Sequence, residues 1–184
     1  MKKRHLLAVS VAVVFGTTLL LLGCTNREWD KFLGNQKKPI NVISINKIVK
    51  YPRAKMLEKK IRTFSGQEIY VNMNSMLFAS EIKDVELLPR DPEGKYYDLK
   101  LKLGRKGRLC WMNISAGFVS EELAFLVDGL CYRTFKPRKL EGGYENEDAY
   151  VIIDGPFDKG MAEAMADHAE DNYFYFNDNP DKDK

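Results

Sequence analysis

The side chains best suited to acid–base or metal chemistry lie close together near the carboxyl end of the sequence. His168 is flanked by Asp167, Glu170 and Asp171, and a histidine among carboxylates is the usual composition of a general base or a metal site. Asp171 lies three residues after the histidine and shares its helix face, but the residue four positions before it is Ala164, which binds no metal. The spacing therefore favours a solvated helical histidine, with a base or ligand as the alternative.

The last residues, 177–184, have spaced carboxylates as calcium loops do. Their sequence, NDNPDKDK, lacks the central glycine and the closing glutamate of an EF-hand loop, which favours a disordered acidic tail. The sequence also has no GxSxG, HExxH or P-loop motif. We therefore expect no cofactor, no metal and no catalytic residues. The alternative is an enzyme of the cell envelope with an unrecognised site near His168 or in the loop 136–148.

A local basic cluster follows the predicted strand 130–135 and is the only one that we identify in the sequence. It consists of Arg133, Lys136, Arg138 and Lys139, beside three glutamates. Such a loop is typically solvated and neutralised by its own carboxylates, which is the favoured interpretation. The functional interpretation is a contact surface for an acidic partner or peptide.

Two of the three cysteines, Cys110 and Cys131, lie in the body of the sequence. They do not form a CxxC pair, which argues against a thioredoxin-like redox role. They are either a disulfide, which an oxidising compartment permits, or two buried free thiols. Both interpretations stay open, because the sequence does not show whether the Cα atoms lie within the ~7 Å that a disulfide requires.

The third cysteine, Cys24, ends an amino-terminal segment with the three parts of a secretory signal. Three basic residues at 2–4 precede an apolar run of 17 residues, 6–22, and Gly23 is a small residue before the cysteine. The closing residues LLGC resemble the lipobox of bacterial lipoproteins. This resemblance implies cleavage before Cys24 and acylation of its thiol and new amino group by chains such as palmitate. The alternative is an uncut signal anchor, since a spanning helix needs about 17–25 residues.

The lipobox also bears on location and partners. Thr25, rather than aspartate, follows the cysteine, and in families sorted between two membranes this implies delivery to the outer membrane, facing the periplasm. Removal of residues 1–23 leaves 161 of the 184 residues, with 26 basic and 26 acidic side chains. This balance and the export signal argue against nucleic-acid binding. The expected partners are the membrane, through acylated Cys24, and another protein.

The expected domain organisation has four parts. A signal peptide, 1–23, precedes a flexible tether, 24–39. One α+β domain follows at 40–176, and 177–184 form the tail. The clearest strand is 97–103, where Tyr and Leu alternate with Asp and Lys, which is typical of a sheet with one solvated face.

Hydrophobic periodicity and turn residues predict the elements that position these side chains. Ser65-Gly66 and Asp128-Gly129 mark turns between neighbouring strands. The predicted strands are 42–49, 61–64, 68–72, 85–88, 97–103, 123–127, 130–135 and 150–153. The predicted helices are 54–60, 81–84 with Ser80 as cap, one with Leu109, Met112 and Ala116 at helical spacing, and one capped by Asp158 with Met161, Ala162, Met165, Ala166 and Ala169 on its inner face.

The order of five stretches between about residues 72 and 169 indicates the fold. They are SEIKDV at 80–85, the strand 97–103 followed by Gly107 and a helix, LAFLVDG at 123–129, LEGG at 140–143, and GPF at 155–157 before an alanine-rich helix. Together they resemble the head of the large periplasmic domain of SecD, the accessory subunit of the bacterial protein-export channel. The resemblance implies a mainly antiparallel α+β sandwich of ferredoxin-like type, with helices packed on one face.

The resemblance supports a fold but implies no catalytic activity. Gly129 corresponds to a turn residue and Gly155 to a tight approach before a helix. The membrane helices that couple SecD to protons have no counterpart after the signal segment, so no proton-driven activity is implied. We therefore expect a lipid-anchored, non-catalytic protein-interaction module of the cell envelope, related to protein export or envelope assembly.

Overall fold

The structure is a computed structural model that describes residues 38–178. The signal segment, Cys24 and the predicted tether up to residue 37 lie outside the described residues, as do 179–184. The elements in chain order are β1 (Ile43–Ile48), β2 (Glu58–Arg62), β3 (Glu68–Phe78), a 3₁₀ turn (Ala79–Glu81), β4 (Ile82–Pro89), β5 (Tyr96–Leu103), α1 (Arg105–Gly117), β6 (Leu123–Val127), β7 (Leu130–Phe135), β8 (Tyr150–Asp158) and α2 (Lys159–Asp178).

The strands form two antiparallel sheets, so the predicted α+β class is confirmed. One sheet has five strands in the order β2-β3-β1-β6-β7, and the other has three in the order β4-β5-β8. Leu99, Leu101 and Leu103 of β5 are fully buried, while the alternating polar residues of that strand face solvent, as the sequence predicted. Both helices bury one face in the core that the two sheets share.

The five-stranded sheet has buried side chains on both of its faces. One face belongs to the shared core, and the other holds a second apolar cluster that includes Val71, Leu126 and Cys131. The turn after β2 approaches β7, where the Phe64 N–H donates to the Cys131 carbonyl at 3.3 Å. All five residues of β6 are therefore buried, which explains its uninterrupted apolar sequence.

Residues 54–60 do not form the predicted helix. The carboxylate of Glu58 accepts hydrogen bonds from the backbone N–H groups of Arg53 (2.5 Å) and Ala54 (2.8 Å), and these bonds close a turn. From Glu58 onward the chain pairs with β3 as strand β2. Helix propensity is a weak preference, and the backbone pairing of a sheet overrides it here.

The short helix predicted at 81–84 is also wrong, because only a 3₁₀ turn forms before β4 begins at Ile82. Glu81 organises this turn, since its carboxylate accepts the Phe78 N–H at 2.7 Å. The side chain that caps the turn is thus Glu81, whereas Ser80 lies inside the turn and the N-cap position is Phe78.

Helix α1 forms where it was predicted but turns a different face to the core. Leu109 and Met112 are 50% and 43% exposed, whereas Trp111 and Ile114 are buried. A Cβ atom on Gly107 would lie 2.6 Å from the Glu81 carbonyl oxygen, so this glycine permits the helix to lie against the 3₁₀ turn. That contact fixes the rotation of the helix.

Two further local predictions, the hairpin after β6 and the cap of α2, are confirmed, whereas the strand predicted at 61–64 lies at Glu58–Arg62. Asp128 and Gly129 both have positive φ and connect β6 to β7 as a hairpin. The Asp158 carboxylate accepts the Met161 N–H at 3.0 Å and caps α2, whose Ala162, Met165 and Ala169 are buried. The helix extends to Asp178, two residues into the segment that was predicted as the disordered tail.

Candidate functional site

The four members of the predicted basic cluster have different surroundings. Arg138 binds Asp154 of β8 in a bidentate ion pair, with contacts of 2.5 and 3.0 Å. Lys139 is exposed, and Lys136 lines an open polar cleft of about 370 Å³. Arg133 is half-buried. The carboxylate that neutralises Arg138 therefore comes from a neighbouring strand and not from the glutamates of the loop.

A β-bulge in β7 determines where Arg133 points. Phe125 pairs with Arg133 and Leu126 pairs with Cys131, so Tyr132 is an extra residue in β7. As a result, Tyr132 and Arg133 both contact Phe157: the Tyr132 ring stacks on it at 5.4 Å, and the Arg133 guanidinium lies 5.3 Å from its centroid. The bulge thus brings an aromatic and a cationic side chain to one place.

Tyr132 is fixed from both sides. Its hydroxyl donates a hydrogen bond to the Asp158 carboxylate, and its ring packs on Phe64 with 4.9 Å between centroids. Burial and the bond to Asp158 raise the pKa of Tyr132 to about 12. The same bond is the main cause that lowers the pKa of Asp158. Asp158 therefore joins the start of α2 to the bulge of β7.

Arg133 has hydrogen-bonding capacity that the fold does not use. Its Nη1 donates to the Pro156 carbonyl at 3.2 Å, whereas its Nε is buried without a hydrogen-bond partner. Burial, and then the charge of Arg90, lowers the pKa of Arg133, but a guanidinium stays charged in proteins. Within residues 38–178 Arg133 forms no ion pair, while Arg90 is paired with Asp98 at 3.1 Å. Arg133 is thus a half-buried cation without a carboxylate partner among the described residues.

Two exposed apolar side chains extend this site. Phe64 is 68% exposed and packs on Tyr132, and Leu130, two residues before Tyr132 on β7, is 66% exposed. Aromatic residues and arginine are enriched in protein interfaces and their hot spots. β7 is also the last strand in its sheet order. We refer to Phe64, Leu130, Tyr132, Arg133 and Arg138 as the β7 surface.

His168 lies where the segment before β1 is hydrogen-bonded to α2. Its Nδ1 is 2.8 Å from the Ala164 carbonyl, one turn earlier on the same helix, and 3.4 Å from the Asn41 side chain. Asn172 donates to the Ile40 carbonyl at 2.8 Å, one turn further along. Within residues 38–178, no group of three or more His, Cys, Asp or Glu side chains is arranged to hold a metal ion.

The opposite side of this junction is the hairpin after β6. Asp128 accepts the backbone N–H groups of Asn41 (3.1 Å) and Val42 (2.8 Å). The chain is therefore held at residues 40–42 by α2 and by the hairpin together. This arrangement gives the residues around His168 a structural role in the contacts described.

Three contacts with α1 and β5 help to hold the loop 136–148, in addition to the Arg138–Asp154 ion pair. The Trp111 indole donates to the Arg138 carbonyl at 2.8 Å, and Arg108 donates to the Tyr144 carbonyl at 2.7 Å. Lys102 forms an ion pair with Asp148 at 2.5 Å. Because α1 contributes two of these contacts, its rotation also sets the position of the loop beside the β7 surface.

Cys110 and Cys131 are free thiols, so the disulfide considered from the sequence is not present. Cys131 lies in the second apolar cluster, whereas Cys110 on α1 packs against the shared core, so the sheet separates the two. Burial raises the pKa of Cys131 to about 11 and also raises the pKa of Cys110.

A larger basic segment lies earlier in the chain and was not predicted. Residues 47–62 contain seven lysines and arginines and one acidic residue, Glu58, so the prediction of a single basic cluster was wrong. A count of charges in a sliding window would have found this segment. The exposed apolar residues Phe64 and Leu130 had no such signal, because apolar residues in strands are normally buried.

Comparisons with known proteins find solved structures only. No protein-family model matches the chain, and no curated protein matches it. A structure of SecDF, described as a membrane component that enhances protein export, is similar at 14% identity and a TM-score of 0.49, over 81% of this chain and 70% of that one. SecDF in its super-membrane-facing form gives 13% and 0.47, over 82% of this chain and 21% of that one.

A further SecDF structure, of a translocon-associated membrane protein from Thermus thermophilus, gives 13% identity and a TM-score of 0.44, over 82% of this chain and 22% of that one. The chain thus spans about a fifth of the length of these last two proteins. With TM-scores below 0.5, these similarities assign no function. Within residues 38–178, neither helix is long and apolar enough to cross a membrane.

Proposed function

We propose that this protein is an exported, lipid-anchored lipoprotein whose domain is a non-catalytic protein-interaction module of the cell envelope. The sequence LLGC, at the end of an apolar run with a basic start, supports the anchor. The observation that carries the interaction role is the β7 surface, where half-buried Arg133 forms no ion pair within residues 38–178 and where Phe64 and Leu130 are exposed.

The chemistry of this surface defines the partner that it fits. A partner carboxylate or carbonyl would accept hydrogen bonds from Arg133, whose guanidinium lies on the Phe157 ring and therefore loses little conformational freedom on binding. Apolar side chains of the partner would cover Phe64 and Leu130. A short acidic segment with apolar neighbours satisfies both requirements.

The test is a pull-down of the full-length lipoprotein from detergent extracts, compared between matched variants. Arg133→Gln and Leu130→Asp change the β7 surface, whereas Lys139→Gln removes an exposed charge outside it. We expect a stoichiometric partner with the wild type and Lys139→Gln, and at least a tenfold weaker recovery with the other two. Equal recovery with all variants, at unchanged melting temperature, would contradict the proposal.

The anchor has a separate test. Metabolic labelling with a palmitate analogue should mark the wild type and leave Cys24→Ala unlabelled, and fractionation should place the labelled protein in the outer membrane. That the partner acts in protein export or envelope assembly is the narrower part of the proposal. Identification of the recovered protein decides it.

A further inference from the structure

The segment between β1 and β2, residues 49–57, projects from the five-stranded sheet into solvent. Every residue from Lys50 to Leu57 is exposed. Tyr51 is 80% exposed, Met56 is 90% exposed and Leu57 is 45% exposed. Three large apolar side chains on one protruding segment are unusual for a surface that meets only water. We refer to residues 49–57 as the arm.

The arm is also strongly basic. Lys50, Arg53 and Lys55 lie on it, and within residues 38–178 none of them forms an ion pair. The nearest acidic residue in sequence, Glu58, directs its carboxylate to the backbone N–H groups of Arg53 and Ala54. These bonds lower the pKa of Glu58 and make its carboxylate part of the turn.

The arm is held in shape by backbone hydrogen bonds at both of its ends. The Val49 N–H donates to the Tyr70 carbonyl at 2.8 Å, and the Met73 N–H donates to the Leu57 carbonyl at 2.7 Å. Inside the arm, the Leu57 N–H donates to the Ala54 carbonyl at 2.9 Å. The apolar and basic side chains are therefore presented together from a closed turn, which reduces the entropy that docking would cost.

We infer that the arm docks on the anionic phospholipid surface of the membrane that carries the protein. Tyr51, Met56 and Leu57 enter the boundary between headgroups and acyl chains, where aromatic and flexible apolar side chains are stable. The neighbouring lysines and arginine contact lipid phosphates. This inference rests on the proposed lipid anchor for its location, and on the exposure and charge of the arm for its chemistry.

The length of the chain before the domain permits this docking. Residues 25–37 separate Cys24 from the described part, and 13 residues span at most about 45 Å. The arm begins at the end of β1 that is remote from residues 40–42, a distance of about 20 Å for six residues of strand. The available reach therefore exceeds the length of β1.

The other basic region fits a lipid surface less well. Arg138 is neutralised by Asp154, and Arg133 is half-buried against Phe157. The arm combines apolar side chains that are 80–90% exposed with unpaired positive charge, as interfacial membrane segments do.

The experiment places an environment-sensitive fluorophore on the full-length lipoprotein reconstituted in vesicles. One variant carries the label at Met56→Cys, and a matched control carries it at Leu130→Cys, which is 66% exposed and lies beside the hairpin that holds residues 40–42. Both are made in a background with Cys110→Ser and Cys131→Ala that melts at an unchanged temperature. The vesicles contain phosphatidylcholine alone or mixed with phosphatidylglycerol, and half of the samples include bromine-labelled lipid as a quencher.

We expect quenching of the label at position 56 in phosphatidylglycerol vesicles, loss of this quenching at high salt, and no quenching at position 130. Changing Lys50, Arg53 and Lys55 together to Gln should weaken docking on the order of 100-fold, because each of the three charges loses about one contact with a lipid phosphate. The same change at Lys95, Lys139 and Lys159, which lie outside the arm, should leave docking within a few-fold.

Three results would overturn the inference: a label at position 56 that stays unquenched, equal quenching at both positions, or quenching that is the same with and without phosphatidylglycerol. If the arm binds a protein instead of lipid, the label at position 56 would stay unquenched. Mass spectrometry of the same sample reports the acyl chains, so loss of the proposed anchor is seen separately from a failure of the arm to dock.

Discussion

The contact between α1 and the 3₁₀ turn can be tested with a pair of glycine substitutions in one helix. Gly107 is the third residue of α1, and a Cβ atom there would lie 2.6 Å from the Glu81 carbonyl oxygen and 2.9 Å from its Cβ. Gly117 is the last residue of α1, and a Cβ atom there would meet nothing within 4 Å. The same chemical change therefore meets two different environments.

Two effects of opposite sign decide the result at Gly107. Alanine is favoured over glycine in a helix by up to about 1 kcal/mol. Relief of the overlap requires α1 to move away from Glu81, whose carbonyl also accepts the Gly104 N–H at 2.8 Å, and overpacking of this kind costs about 1–3 kcal/mol. Because the nearest atom belongs to the backbone, we expect the upper part of that range and a net loss of about 2 kcal/mol.

The control, Gly117→Ala, should be neutral or gain up to about 1 kcal/mol. The assay is urea unfolding of both variants, with thermal melts as a check. A loss of about 2 kcal/mol lowers the melting temperature of a chain of this size by about 4–8 °C. If Gly107→Ala is as stable as Gly117→Ala, α1 does not lie against the 3₁₀ turn and its assigned rotation is wrong.

Three further outcomes are expected. The hydrogen bond from Tyr132 lowers the pKa of the Asp158 carboxyl, so the stability that this bond contributes is present above the usual aspartate pKa and is lost as the pH falls through the lowered value. Tyr132→Phe should therefore be less stable than the wild type at neutral pH and approach it in acid. A difference in unfolding free energy that stays constant with pH in urea titrations would count against the bond. The pKa of about 11 keeps the Cys131 thiol protonated, so at pH 8 an alkylating reagent should modify half-buried Cys110 first and Cys131 only after unfolding, as mass spectrometry can show. Trp111→Phe leaves a loop carbonyl without its donor and should cost about 1–3 kcal/mol; an unchanged urea midpoint would show that the bond is unimportant.

The strands were largely predictable because their signals are local. Period-two alternation identified β5, and the Asp128-Gly129 pair identified the hairpin, since both depend on a few neighbouring residues. The segment 54–60 was not predictable in the same way. Its helix-forming residues give way to pairing with β3, which is a contact between elements and has no signature in the segment itself.

The buried face of α1 was likewise not predictable from the local sequence. Leu109 and Met112 have helical spacing, but so do Trp111 and Ile114, which are the buried pair. The larger indole fills the core and finds a hydrogen-bond acceptor there, and neither fact can be read from spacing.

Of the β7 surface, only the two arginines were predictable from the sequence. The sequence identified Arg133 and Arg138, but the position of Arg133 on the Phe157 ring depends on a bulge at Tyr132 that no turn residue marks. Phe64 joins the β7 surface only because the turn after β2 approaches β7. Contacts of this kind depend on how distant segments curve toward one another.

The hydrogen bonds that hold residues 40–42 determine how the domain would respond to a pulling force. β1 lies in the middle of its sheet, between β3 and β6, and is antiparallel to both. A pulling force applied at residue 38 and directed along β1 would load the hydrogen bonds of both ladders together, in shear, and would meet the Asn172 and Asp128 bonds first. A domain dragged by its amino-terminal end would thus resist force at its most interior strand.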